Sequence, residues 1–223
     1  MKNILIRLFI VFFPWIIRRY LLIKILKYKI HKTSFISRFA LIMPKYLEMD
    51  KNSKIGAFTV AIHLEQLIMK EYSSIGRSNW ISGFPLVSKK HFLHVRNRKP
   101  NLIMGKHSAI TKKHLIDCTQ TITIGDYTTI AGYNSQFLTH SIDYKKCRQD
   151  CSEIKIGSYC IVGTNCIFLP GSSLPNYSIC GAKSLMNKDF KEEYHLYAGS
   201  PAKIKTNLEK NSKYFTREVG FVN

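Results

Sequence analysis

From about Ile30 onward an aliphatic residue tends to return every six positions, often with glycine directly after it. The clearest run is Ile156-Gly-Ser-Tyr-Cys-Ile, then Val162-Gly-Thr-Asn-Cys-Ile, then Phe168, Leu174 and Cys180-Gly-Ala-Lys-Ser-Leu. Earlier copies start at Ile55, Ile75, Met104, Ile110, Ile116, Ile124 and Ile130. Six residues is too short for a helical repeat, and an alternating strand would repeat every two. The spacing fits one flat side of a triangular coil: a short strand, then a sharp corner. Three such sides make a coil of about 18 residues, and a core exists only where coils stack. Glycine beside each aliphatic residue can supply the backbone angles a corner needs. The pattern predicts an all-β solenoid, a parallel β-helix, over residues 30–204; the alternative is a β-sandwich with chance periodicity.

Two stretches break the register. Residues 84–101 (FPLVSKKHFLHVRNRKPN) are basic and aromatic, and residues 140–153 are polar. Both are predicted to project as loops, where sites on rigid scaffolds usually lie. Residues 205–223 form a basic tail. At the other end, Leu8 to Ile17 is an unbroken apolar run of ten between Arg7 and Arg18–Arg19, followed by Leu21 to Leu26 with Lys24 and Lys27. The run is too short to span a bilayer, and no small-residue cleavage site follows it. Residues 1–29 are therefore expected to be a basic amphipathic helical segment at an anionic membrane surface. A helix packed on the protein's own core or on an oligomer interface is the other reading.

Lys and Arg number 34 against 14 acids, a formal charge of +20. A surplus of that size attracts polyanions, whether lipid headgroups, phosphate-bearing ligands or nucleic acid. The six cysteines include no CxxC pair and no zinc-finger spacing. They are expected to be reduced thiols of a cytoplasmic protein, peripheral at the inner membrane face, although Cys147 and Cys151 flank one loop and can pair.

Residues 156–204 carry an ordered set of motifs: Phe168-Leu-Pro170-Gly171, Gly181-Ala182-Lys183-Ser184, Lys188-Asp189 and Ala198-Gly199-Ser200-Pro201-Ala202-Lys203. Upstream stand Asp117-Cys118, Ile124-Gly125-Asp126 and Thr139-His140-Ser141. Together these resemble the hexapeptide-repeat acetyltransferases of the maltose, galactoside and nodulation-factor type and their polysaccharide O-acetyltransferase relatives. The resemblance covers about residues 104–205 well. It implies a left-handed helix, a homotrimer with sites between subunits, and transfer of an acetyl group from acetyl-CoA to a sugar hydroxyl, with no metal and no nucleic acid. A surface polysaccharide or its lipid-linked precursor would be the acceptor.

By that resemblance His140 is the catalytic base. Asp117, Asn134 and His114 are candidates for acceptor binding. Gly163, Ala182, Lys183, Ser184, Lys188, Gly199, Pro201 and Lys203 are candidates for the coenzyme A arm, with Lys205 beside them. The chemistry stands on its own terms. A sugar hydroxyl is a poor nucleophile at neutral pH, and histidine titrates near 6.5, so it can take the proton. A carboxylate would orient the ring; Asp143 and Glu153 are candidates. A backbone N–H would stabilise the oxyanion. Many relatives have Trp where this chain has Ile161, and Pro where it has Ser141. N-acylation of an amino sugar uses the same base, and a non-catalytic scaffold would keep the fold without turnover. A zinc hydratase needs a histidine spacing that His107, His114 and His140 lack. A nucleic-acid binder would give His140 no role.

Overall fold

The computed structural model describes residues 10–88, 90–220 and 222. Arg7 and the rest of residues 1–9 of the N-terminal segment lie outside the described residues. Two seven-stranded parallel sheets and one nine-stranded sheet, parallel but for its last strand, form the three sides of a prism, with every third strand of the chain entering the same sheet. Parallel pairing in exact register stacks equivalent residues. On the second side Ile36, Ile55, Ile75, Ile110, Ile130, Val162 and Cys180 follow one another. On the third, Ile42, Ala61, Ile81, Ile116, Phe137, Phe168 and Met186 do. All are buried.

The first side has longer strands, such as Gln66–Met69 and Asn101–Met104, each placing two residues inward. Leu67 with Met69, and Leu102 with Met104, are all buried. The extra inward residue stretches that side from six residues to eight, which is why the repeat slips in the first half. It returns to strict hexads after Ile156.

The glycines that follow the hexad aliphatics do not turn the corners; the positive φ among glycines falls on Gly132, Gly171 and Gly199. The hexad glycines lie close under the next coil: a Cβ on Gly125 would sit 2.5 Å from the Gly157 carbonyl carbon, and one on Gly163 2.7 Å from the Ala182 nitrogen. The left-handed backbone falls two residues later, on Tyr127, Tyr159, Asn165 and Lys183, each at φ between 55° and 60°, and Tyr177, which follows Pro175 rather than a glycine, takes the same conformation at φ 54°. At the corner between the first and second sides these residues are mostly aromatic. Tyr72, His107, Tyr127, Tyr159, Tyr177 and Tyr194 form a continuous stack with centroids 4.7–5.3 Å apart. Offset ring pairs of this kind each contribute about 0.5–1.5 kcal/mol beyond area burial.

The prism is closed at its start by helix α1, Trp15–Leu26. Leu22 enters the core. Arg18 is buried and donates to Ile36 O and Ser37 O, while Arg19 donates to Ile30 O and His31 O. Trp15 Nε1 donates to Ser34 O. These side chains satisfy carbonyls of the first coil that have no coil below them. The helix's other side is also apolar, with Phe12, Ile16, Ile17, Tyr20 and Ile25 exposed. Arg18 and Arg19 are thus used on the protein's own first coil. Among the described residues no helix is long and apolar enough to cross a membrane.

At the far end Lys203–Asn207 pairs antiparallel with His195–Ala198. The short helix α2, Lys213–Thr216, lays Phe215 against Tyr177 and Tyr194. Arg217 then stacks over Tyr127 and Tyr159 and donates to Tyr127 O. The tail is a strap along the aromatic corner. The six cysteines are free; Cys147 is exposed at the turn of a hairpin and Cys151 buried at its base. Burial pushes the Cys160 thiol up to about 12.

Candidate active site

Both insertions leave the prism at one edge, between the third and first sides. The first spans residues 83–100. The second is a hairpin, His140–Asp143 against Arg148–Cys151. One plain corner, residues 118–121, lies between them. Register across the third side sets Asp117 opposite Leu138. Thr139 and His140, which follow, therefore arrive beside the Asp117 carboxylate although they are a full coil away in sequence.

His140 Nδ1 lies 2.7 Å from Asp117 Oδ2. The other carboxylate oxygen, Oδ1, accepts from the Thr119 N–H at 3.1 Å and the Thr119 hydroxyl at 2.7 Å. Oδ2 also accepts from the Thr139 N–H at 3.0 Å. Asp117 is 8% exposed. Burial pushes its pKa up, but the hydrogen bonds from His140, Thr119 and Thr139 outweigh that and hold it below the ordinary carboxylate value. The same hydrogen bond to Asp117 raises the His140 pKa above 6.5 against the opposing effect of burial. With Nδ1–H held by a carboxylate, the basic lone pair is on Nε2, which has no hydrogen bond among the described residues. The His140 side chain is 40% exposed, so Nε2 can meet a ligand. A buried carboxylate, an oriented imidazole and an open Nε2 are the arrangement that general-base chemistry requires.

This changes the role of Asp117. Both its oxygens are hydrogen-bonded within the protein, to Thr119, Thr139 and His140, and it orients the His140 ring. Neither Asp143 nor Glu153 does so: Asp143 accepts from the Lys145 and Lys146 N–H groups in the hairpin turn, and Glu153 pairs with Lys155. His114 does not reach the cleft. It is buried, its Nε2 is 3.0 Å from Thr111 Oγ1 and its Nδ1 accepts from Ser135 N–H. Burial lowers its pKa to about 4, so it stays neutral. Asn134 is a corner residue at φ 58°, at the opposite end of strand Gln136–Leu138 from His140.

The residues expected along coenzyme A do not form one cluster. Lys183 is exposed at the corner between the second and third sides. Gly199 O accepts from the Leu185 N–H, which brings the Gly199–Pro201–Lys203 turn to that same edge. Lys188 is at the other edge, over the Phe190 ring. Ser184 is 1% exposed, donating to Gly181 O and accepting from Gly199 N–H, so it binds protein and not ligand. Gly163 and Ala182 meet each other between coils, which is reason enough for their small size. Among the described residues no group of three or more His, Cys, Asp or Glu is placed to hold a metal ion.

Sequence reasoning missed the support behind His140. Phe92 is buried with its ring edge-on to His140, centroids 6.1 Å apart. Arg98, 7% exposed, packs over Phe92 and Phe84 and donates to Phe84 O, Pro85 O and Thr119 O. It pins the first insertion to the corner that carries Thr119. The alternation of basic and aromatic residues in 84–101 was the available signal.

No protein-family model and no curated protein matches the sequence. Solved structures do. The polysialic acid O-acetyltransferase OatWY aligns over 81% of this chain and 84% of its own, at 18% identity and TM-score 0.61. The likeness is one of fold, a left-handed parallel β-helix. An N-acyltransferase of Bacillus cereus, AntD, solved as a mutant with dTDP-4-amino-4,6-dideoxyglucose and coenzyme A, aligns over 81% of this chain and 84% of its own, at 13% identity and TM-score 0.50. A hexapeptide-repeat acetyltransferase of Vibrio cholerae is 28% identical over 48% of this chain, with TM-score 0.46. This chain spans 63% of that protein's length.

Proposed function

We propose that the protein is a coenzyme A-dependent O-acetyltransferase acting on a sugar hydroxyl, with His140 as general base and Asp117 as its orienting carboxylate. The observation that carries this reading is the 2.7 Å His140–Asp117 pair, buried on the carboxylate side and open at Nε2. In the reaction Nε2 takes the proton of the acceptor hydroxyl as its oxygen attacks the thioester carbonyl. The tetrahedral intermediate collapses, the C–S bond breaks, and the imidazolium returns the proton to the departing thiolate. Asp117 stabilises the transient imidazolium.

Lys183, Lys203 and Lys205 would meet the phosphates of the donor as point charges. They lie near one edge of the third side and His140 at the other, which supports a site completed by a second copy of the chain. The outward residues of that side support a trimer: Leu41, Trp80 and Leu115 are exposed and share one register position across neighbouring strands. The exposed apolar side of α1, with Lys24 and Lys27, supports contact with an anionic membrane surface, where a lipid-linked acceptor would be met.

The test is release of free thiol from acetyl-CoA with a panel of glycans, amino sugars included, by wild type and His140→Ala. Acceptor-dependent release that falls at least about 100-fold in the variant is expected for a lost general base. Equal rates would overturn the role of His140, and turnover of amino sugars alone would replace O-transfer by N-transfer.

A further inference from the structure

A cleft of about 400 Å³ lies between the first insertion and the hairpin, lined by Lys90, Phe92 and His94 on one wall and Ile142, Arg148 and Gln149 on the other. That is a volume in the about 300–1,000 Å³ range of small-molecule sites. It adjoins the catalytic histidine in two ways. Phe92, part of its wall, is the ring that abuts His140. Ile142 lies two residues beyond His140 in the same strand. Side chains at that spacing share a face about 7 Å apart.

The cleft lining carries Lys90 and Arg148 and no acid. Residues 90–99 carry four Lys and Arg and no acid, and residues 140–151 carry three Lys and Arg against Asp143 and Asp150. Both acids are occupied. Asp143 accepts from the Lys145 and Lys146 N–H groups and lies 3.7 Å from Lys146 Nζ. Asp150 lies 3.5 Å from His94 Nε2 and accepts from the Cys151 N–H. Arg148 stands opposite Asp143 in the hairpin ladder but forms no ion pair with it. Its Nε is buried with no hydrogen-bond partner among the described residues. The Arg148 guanidinium lines the cleft with no carboxylate paired to it, and its outer N–H groups can hold an oxyanion.

We propose that this cleft is the acceptor subsite and that it selects a saccharide bearing an oxyanion, carboxylate or phosphate, with Arg148 as the residue that reads the charge. The inference rests on the acyltransfer reading for its reaction but not for its binding. Phe92 and Ile142 would pack on the sugar ring, while Arg148 and Lys90 hold the anion and leave a neighbouring hydroxyl at His140 Nε2.

Binding and transfer are measured separately on the full chain. Titration calorimetry compares a uronate disaccharide with its neutral methyl ester, and a hexose phosphate with the free hexose, for wild type, Arg148→Gln and Arg148→Lys. Circular dichroism confirms that each variant is folded. The expected result is that wild type binds at least one charged form about tenfold or more tighter than its neutral partner. Arg148→Gln brings that ratio close to one, and Arg148→Lys keeps part of it. Whether the uronate or the phosphate shows the preference identifies which oxyanion the cleft reads. Equal binding of charged and neutral forms by wild type, or an unchanged ratio in Arg148→Gln, would overturn the proposal. Charge-selective binding without thiol release would leave the cleft standing and count against acyl transfer. Thiol release with no charge preference would do the reverse.

Discussion

At the residue scale the decisive feature is a buried carboxylate, fixed by Thr119 and Thr139, that holds one imidazole. The hydrogen bond to Asp117 raises the His140 pKa, and burial alone would lower it. Nuclear magnetic resonance titration of wild type should therefore give a His140 midpoint above 6.5, and Asp117→Asn should move it downward. An unchanged midpoint would show that the pair does not form in solution. The stability consequences follow from the signs. His140, with a raised folded pKa, contributes stability that is fully present below about 6.5 and is lost as pH rises through its folded value. Asp117, with a lowered folded pKa, contributes above the ordinary carboxylate value and is lost as pH falls through its folded value. Asp117→Asn should remove the Asp117 contribution and reverse that of His140, because burial then lowers the His140 pKa, visible as a changed dependence of Tm on pH. His114, in contrast, bonds only Thr111 and Ser135. His114→Ala should lower Tm by leaving the buried Ser135 N–H unpaired, at a cost of about 1–3 kcal/mol.

At the element scale the coil is made by two residues acting at different points of each turn. Glycine lets one coil lie on the next, and a left-handed residue two positions on bends the chain. Gly125→Ala places a Cβ against the backbone of Gly157 and should destabilise by about 1–3 kcal/mol, measured by denaturant unfolding. A neutral result would mean the coils can separate without cost. Tyr159→Ala breaks two ring stacks and both the ring and hydroxyl contacts with Arg217, and should lower Tm and expose the tail to proteolysis. Much of this was legible in the sequence. The hexads from Ile156 onward gave the faces directly, and both insertions stood out as breaks. The Asp117–His140 pair was not legible by local spacing, because the partners are joined by coil register. Counting Leu115 against Gln136 would have placed them together. Arg98 and Phe92 were hidden for a different reason: in a basic, aromatic loop any residue could equally have faced solvent.

At the scale of the whole molecule, the third side carries the open questions of assembly. Its outward strip is apolar at Leu41, Trp80 and Leu115, and His140 and the lysines at residues 183 and 203 lie near its two edges. If copies of the chain meet there, Trp80→Glu with Leu115→Glu should convert a trimer to monomers in sedimentation analysis and cut transfer by at least about tenfold, since like charges and lost apolar area both oppose association. Monomers with full activity would show that each chain holds a complete site. The N-terminal cap bears on where such an assembly works. Three apolar helices on one particle would strengthen a weak surface contact by multivalency. Flotation with anionic vesicles should carry wild type upward, and Phe12→Ser with Ile16→Ser should reduce it without unfolding the cap, because both side chains point away from the first coil.

The most direct test of the whole reading is the pH dependence of kcat/KM for acetyl transfer in wild type and Asp117→Asn. Wild type should rise with pH through a single ionisation centred above 6.5, as Nε2 of His140 loses its proton. Asp117→Asn should shift that ionisation to lower pH and lower the plateau, by a factor on the order of 10²–10⁴ for a disabled base. A wild-type profile without that ionisation, or an Asp117→Asn profile that overlays it, would contradict general-base catalysis by the His140–Asp117 pair.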